Sequence, residues 1–338
     1  MFKLILFSFD NSVDNYLITA TTCCFISAEQ YTLNILANAK WTQNGITVAG
    51  GNGHGSGLNQ LYNPTDLYVD DDQTIYVAEY LNHRIVEWKS GATSGRVVAG
   101  GNGLGSQPNQ LNQPSVVLID KESDSLIISE YGNQRVMRWP RTNSTTGQVI
   151  SSGAASYGLA MDSDGYLYVS DYSKHEVKRW KIGETNSTVV AGGNGSGSRL
   201  DQLTSPRNIF VDQDRSLYIV DTGNRRVMKW MAGAKEGIVV AGGKGAGNGL
   251  TQLSSPWAVI VDQLGTIYVT EDDNNRVMRW TKGAREGSVI VGGNGSGAQP
   301  NQFTRSMGLS FDRQGNLFVA DCDNHRVQKF NIDPNSIQ

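Results

Sequence analysis

The 338 residues are enough for one large or two smaller cores, with a formal net charge of −3 and 18% charged residues. That balance excludes a global basic field of the kind that recruits nucleic acid or anionic membrane. Three cysteines, Cys23, Cys24 and Cys322, exclude a disulfide framework and a cysteine-based metal site, and are read as unpaired thiols.

Residues 1–40 stand outside any pattern found later in the sequence. MFKLILFSF opens like a signal peptide, but Asp10 cuts the apolar run short. A second run, YLITATTCCFISA (16–28), sits behind Asp10 and Asp14, the wrong charge for a signal core. Neither run reaches the ~18 residues of a bilayer span. A poor signal, a weak anchor and a truncated start are the three readings; the lean is toward a secreted protein, with a cytoplasmic one as the alternative. Sequons at Asn143, Asn186, Asn194 and Asn294 permit export without arguing for it.

From residue 41 a unit repeats six times. Its clearest copy is Pro206 to Trp230, PRNIFVDQDRSLYIVDTGNRRVMKW. The aromatics closing the copies are Trp88, Trp139, Trp180, Trp230, Trp280 and Phe330, at spacings of 51, 41, 50, 50 and 50. Within a copy, FVD (210–212), LYIV (217–220) and RVMKW (226–230) are short alternating runs between turn residues, and IVVAGG (238–243) is a fourth. Four short antiparallel strands per copy describe the blade of a β-propeller, and no run has the length and period of a helix.

The two ends complete each other. WTQNGITVAGG (41–51) matches the end of a copy, whereas copy six stops after its third strand at Phe330. Strand 46–49 is therefore expected to finish the blade begun near 307–312, closing the ring and removing an exposed edge. Fourth strands at 46–49, 96–99, 147–150, 188–191, 238–241 and 288–291 make six blades. The expected architecture is all-β: residues 41–330 as one six-bladed propeller of four-stranded antiparallel blades, with tails 1–40 and 331–338. The glycine-rich and acid-x-x-Asn-x-Arg loops share a top face; turns such as Asp70-Asp71-Asp72 lie opposite, and that turn reads as a solvated hairpin, not a calcium loop.

A second strand followed by Asp-x-x-Asn-x-Arg-Val-x-x-aromatic, as in LYIVDTGNRRVMKW (217–230), resembles the NHL repeat, over residues 41–330. The resemblance implies a six-bladed propeller but no single activity, since that fold hosts RNA binders, protein-binding modules and some enzymes. The lyase domain of peptide-amidating enzymes holds zinc with histidines just after the proline opening the first strand. The matching residues here are Thr65, Ser115, Tyr157, Arg207, Trp257 and Met307, so that ligand set is missing. His54, His83, His175 and His325 offer no evident alternative. No metal and no cofactor are expected, and no serine has the elbow or histidine partner of a nucleophile.

Repeated residues read as structural. The loops GGNGHGSG (50–57), GGNGLGS (100–106), GGNGSGS (192–198), GGKGAGN (242–248) and GGNGSGA (292–298) precede strands, not helices, so they are wide turns between blades and not phosphate loops. Acids ending the second strand face arginines opening the third: Glu79 with Arg84, Glu130 with Arg135, Asp221 with Arg226, Glu271 with Arg276, Asp321 with Arg326. These are expected ion-pair clamps. Copy three breaks the pattern. Its DYSKHEVKRW (171–180) puts Glu176 opposite Asp171, with Lys174 to offset the repulsion, and its glycine loop is missing.

Singular residues at the channel mouth are the candidates for binding: Tyr157, Arg207, Trp257 and Met307, with Tyr80, Tyr131 and Tyr172 after the clamp acids and Arg305 before copy six. The competing reading makes them filler of the channel. The favoured function is a non-catalytic, monomeric scaffold binding a protein or peptide on its top face. RNA binding, disfavoured by the acidic balance, and a channel-sited lyase or hydrolase are the alternatives.

Overall fold

A computed structural model describes residues 35–336 apart from 37, 143 and 185. Strand β1 is Ile46–Gly50. Blade one follows as Pro64–Val69, Ile75–Glu79, Arg84–Trp88 and Arg96–Gly100 (β2–β5). Blade two is Pro114–Asp120, Ser125–Glu130, Arg135–Pro140 and Gln148–Ser152 (β6–β9). Blade three is Leu159–Met161, Tyr166–Asp171, Glu176–Lys181 and Thr188–Gly192 (β10–β13). Blade four is Pro206–Val211, Leu217–Asp221, Arg226–Trp230 and Ile238–Gly242 (β14–β17), and blade five Pro256–Val261, Ile267–Glu271, Arg276–Trp280 and Ser288–Gly292 (β18–β21). Blade six is Ser306–Phe311, Leu317–Asp321 and Arg326–Phe330 (β22–β24), completed by β1. The only helix among the described residues is two single 3₁₀ turns, Thr222–Asn224 and Pro334–Ser336.

Each blade is an antiparallel four-stranded sheet in sequence order, and the sixth runs β1-β24-β23-β22. Expected and observed fourth strands agree within two residues. The first strands stand around the axis: β2 touches β22 and β6, and β18 touches β14 and β22. Flat sheets face one another between blades, so the core is a series of inter-blade layers. In one, Tyr76, Leu111, Leu126 and Trp139 pack together; the blade tryptophans Trp88, Trp139 and Trp280 are fully buried in such layers.

Closure takes more than β1. Ile46 pairs with Lys329 and Gly50 with Arg326. Trp41 bridges Ile332, and its indole donates to the Gly315 carbonyl at 2.9 Å. Lys40 N donates to Ser336 Oγ at 2.9 Å and Arg279 donates to the Ala39 carbonyl at 2.7 Å, while Ile35 is buried in the same layer. The propeller's packing thus extends past both boundaries expected from the repeat. The candidate signal or anchor at 1–28, with Cys23 and Cys24, lies outside the described residues.

The glycine loops are wide turns with a defined interior. Asn52 Nδ2 donates to the Asn59 carbonyl at 2.8 Å, and Gln60 Nε2 returns to the Asn52 carbonyl at 3.1 Å. Asn102 with Gln110, Asn194 with Gln202 and Asn294 with Gln302 repeat the arrangement. Two of the sequon asparagines are thereby engaged in holding loops. Gly100 shows why glycine is needed at the strand exit. Its φ is +67°, and a Cβ there would strike the His83 carbonyl.

The clamps form in five blades. Arg226 Nε bonds Asp221 at 2.7 Å and its Nη atoms donate to the carbonyls of Ser198, Arg199 and Gln202. The acid in turn accepts from Thr204 N and Asn224. Each clamp therefore ties a hairpin to its own glycine loop. Burial pushes the carboxyls of Glu79, Glu130, Asp221 and Asp321 upward, and the arginine and N–H donors pull back. Such pairs specify geometry more than they store stability.

Blade three has no loop to hold. Residues 153–158 replace the thirteen-residue connection used between other blades, and β10 has only three residues. Asp171 and Glu176 are paired across the hairpin in register. Lys174 reaches Asp171 at 3.8 Å, Lys178 takes Glu176 at 3.0 Å, and Asp171 Oδ2 is left without a hydrogen bond.

On the opposite face, Asp70-Asp71-Asp72 does form a hairpin turn, with Gln73 N donating to the Asp70 carbonyl at 2.9 Å. It is ion-paired to neighbouring blades instead of simply solvated. Asp70 meets Arg141 at 2.7 Å, and Asp71 meets Lys121 at 2.8 Å and Arg313 at 2.7 Å.

Candidate functional site

Two sets of positions converge on the top of the channel. The first follows each clamp acid: Tyr80, Tyr131, Tyr172, Thr222, Asp272 and Cys322. The second opens the first strand of five blades, at Thr65, Ser115, Arg207, Trp257 and Met307, and in blade three it is Tyr157, two residues before β10. Outside blade three the strands at both sets repeat, so there the side chains make the mouth unequal. Blades one to three supply three tyrosines; blades four to six supply Thr222, an acid and a thiol.

The aromatic side is continuous. Tyr131 and Tyr157 stack with ring centres 4.4 Å apart, and Tyr80 lies 6.5 Å from Tyr131. Tyr157 meets Tyr172 edge-on at 5.6 Å and Trp257 at 5.5 Å. Offset and edge-on contacts of this kind add about 0.5–1.5 kcal/mol per pair beyond area burial. The four tyrosines are half-buried, whereas Trp257 is 7% exposed and forms the floor. Burial, and then the neighbouring Tyr80 hydroxyl, push the Tyr157 phenol well above its usual range.

Arg207 lies over Trp257, its guanidinium carbon 3.9 Å from the ring centre. Its Nε and Nη1 are buried and make no hydrogen bond. Burial pulls its basicity down, opposed first by Asp272. Asp272 itself is bound by Arg305 at 3.2 Å, and Arg305 also reaches Asp323 at 3.4 Å. Burial pushes Asp272 up against the pull of Arg305, and pushes the buried Cys322 thiol up as well.

Seven of the eight expected residues thus meet at one mouth. Met307 is corrected: at 1% exposure it lies inside the core, in the cluster that contains Trp257, and cannot meet a partner. Its carbonyl accepts from Thr270 Oγ1 of blade five.

Three of the four histidines do a different job from the metal binding considered for them, and His54 packs edge-on against one of the three, His325, at 5.4 Å. His83 Nδ1 accepts from Gln113 N at 3.1 Å, His175 Nδ1 from Ser205 N at 3.0 Å and His325 Nδ1 from Asn63 N at 3.5 Å. Asn275 Oδ1 takes the same role toward Arg305 N at 2.8 Å. Each occupies a left-handed backbone position and stitches its blade to the next. His83 and His325 stand before a clamp arginine and His175 before Glu176, a placement the repeat shows, whereas the bond to the following blade is not legible in it. Among the described residues no group of three or more His, Cys, Asp or Glu is arranged to hold a metal.

One step down the channel, Asp66 and Asn208 occupy equivalent places. Asp66 Oδ2 accepts from Val117 N and Asn208 Oδ1 from Val259 N, both at 3.2 Å and both from the next blade. Burial pushes the Asp66 carboxyl up to about 8, against the backbone N–H groups of Val117 and Leu67. An acid raised on folding binds a proton that the unfolded polypeptide releases at about pH 4, so stability falls as pH climbs toward 8. Asp66→Asn copies what Asn208 already does. It is expected to raise the melting temperature by several degrees near pH 8 and to leave it unchanged near pH 4, measured by thermal unfolding at both values. A lower melting temperature at pH 8 would contradict the assignment.

Comparison with known proteins joins these observations. A family profile for the NHL repeat matches residues 61–88 and 308–330, the hairpins of blades one and six that carry two of the clamps. The chain is an NHL-type propeller. Solved structures similar to this NHL-type protein include an auxiliary nutrient binding protein from Bacteroides thetaiotaomicron, at 15% identity and TM-score 0.67, covering 87% of this chain and 77% of that one. A protein of unknown function from the same organism gives 14% and 0.66, over 87% and 77%. A gluconolactonase from Xanthomonas campestris gives 12% and 0.59, over 89% and 100%. At such identities the likeness is one of fold. No curated protein matches the sequence. Among the described residues no helix is long and apolar enough to cross a membrane.

Proposed function

We propose that this NHL propeller is a non-catalytic binding module whose channel mouth receives a protein or peptide. One observation carries the reading. Tyr80, Tyr131, Tyr157, Tyr172 and Trp257, from four blades, make one contiguous aromatic surface with a guanidinium laid on it. Three of the rings occupy a position that is Thr222, Asp272 or Cys322 in the other blades, so the blade fold does not require them. Tyr, Trp and Arg are the residues that dominate binding hot spots. Ring contacts hold them in place before a partner arrives, which lowers the ordering cost of association. Binding is also the role named for the Bacteroides thetaiotaomicron auxiliary protein of similar fold. Asp272 and Asp323 at the same mouth oppose a nucleic-acid backbone.

The test compares the immobilised full-length protein with a Tyr131→Ser/Tyr157→Ser variant of equal melting temperature. Polypeptides retained from cell extract by the first and lost from the second are the expected result. Identical retention would make the rings channel filler. Retention of RNA alone, falling steeply with salt, would replace this reading with the nucleic-acid one.

A further inference from the structure

Resting on that reading, we infer that Arg207 receives a carboxylate of the bound polypeptide. Among the arginines in the two halves of the mouth, Arg305 is matched by Asp272 and Asp323. The clamp arginines Arg84, Arg135, Arg226, Arg276 and Arg326 each hold an acid and loop carbonyls. Arg138 and Arg279 also leave a nitrogen idle, but Arg138 bonds Asp120 and Arg279 bonds the Ala39 carbonyl. Among the described residues Arg207 alone buries two guanidinium nitrogens with nothing to accept their protons. Its charge is met only by the face of Trp257 and by Asp272, which is bound to Arg305.

A buried donor left unbonded is costly, and a buried charge left unpaired more so. The arrangement is explained if the acceptor arrives with the ligand. The guanidinium lies flat on the indole, and its Nε–H and Nη1–H point to different sides, so a carboxylate oxygen can take one of the idle donors as a charge-assisted hydrogen bond. Asp272 and Asp323 stand close by, so a dianionic phosphate meets twice the repulsion of a single carboxylate. Tyr157 and Trp257 supply apolar surface for the residue bearing the acid. The C-terminus of a polypeptide and an Asp or Glu side chain present the same group, and the experiment separates them.

The full-length protein is offered random synthetic peptides in three forms: free C-termini without Asp or Glu, amidated C-termini with Asp and Glu, and amidated C-termini without either. Retention of the first or second form and not the third is expected, and names the source of the carboxylate. Arg207→Met should weaken that binding by about 30-fold or more, the loss typical of truncating a desolvated charge partner. Its melting temperature without peptide should be no lower than that of the wild type, because no hydrogen bond of the guanidinium is lost and a thioether on the Trp257 face takes the place of the cation there. Equal retention of the third form, binding by Arg207→Met within about twofold of wild type, or a lowered melting temperature would overturn the inference. Peptides bound regardless of acids and of Arg207, yet lost in Tyr131→Ser/Tyr157→Ser, would overturn it while leaving the mouth as the binding site. No form retained would overturn both.

Discussion

Deleting residues 41–51 is expected to abolish cooperative unfolding, or to lower the melting temperature by more than ten degrees or so, as about 3–5 kcal/mol goes with the buried indole alone. Trp41 is 3% exposed and edge-on to Tyr268 at 5.9 Å. Its loss opens a cavity between blades five and six and breaks the bond to the Gly315 carbonyl. Without β1, the outward N–H and C=O groups of β24 become an open sheet edge, which invites association with other molecules. Circular dichroism melts with parallel light scattering give the answer. A truncated protein that melts like the full-length one would show that the ring does not depend on this strand.

Arg276→Met should be the most damaging single substitution away from the closure, costing about 3–5 kcal/mol. Glu271 is fully buried and would keep only Ser254 N and Asn274 as donors. The carbonyls of Asn248 and Gln252 would lose theirs and that of Gly249 would keep only Gln252 N, so the glycine loop would come away from the hairpin. Arg276→Lys should not rescue it, because one ammonium cannot span an acid and three carbonyls. Denaturant unfolding of both variants checks this. A loss below about 1 kcal/mol, the ordinary worth of a surface pair, would demote the clamp to decoration.

These two features were legible in the sequence because repetition exposes them. An acid and an arginine five residues apart, found in five copies, have one geometric explanation, and an orphan strand at one end answers a missing strand at the other. What repetition hides is contact between copies. His83 reads as a lone imidazole until Gln113 N of the next blade is seen against it. Asp66 and Asn208 share a channel position, but only the ring shows that both serve a neighbour's backbone and that burial distinguishes acid from amide. At the mouth, singularity singled out residues that the ring brings together, but not their depth. Met307 and Arg207 hold equivalent positions, one sealed in the core and the other half-buried with two idle donors beneath its surface. That difference is set by side-chain packing across blades, which no spacing encodes.

The central claim is that the mouth is where a partner sits. A photo-crosslinking residue placed at Tyr131 and, separately, at Asp164 in a turn on the opposite face tests it most directly, with the partner recovered by capture. Adducts formed from position 131 and not from 164, and competed by excess unlabelled protein, are the result this account predicts. Adducts from 164 alone would place the partner on the other face and contradict it.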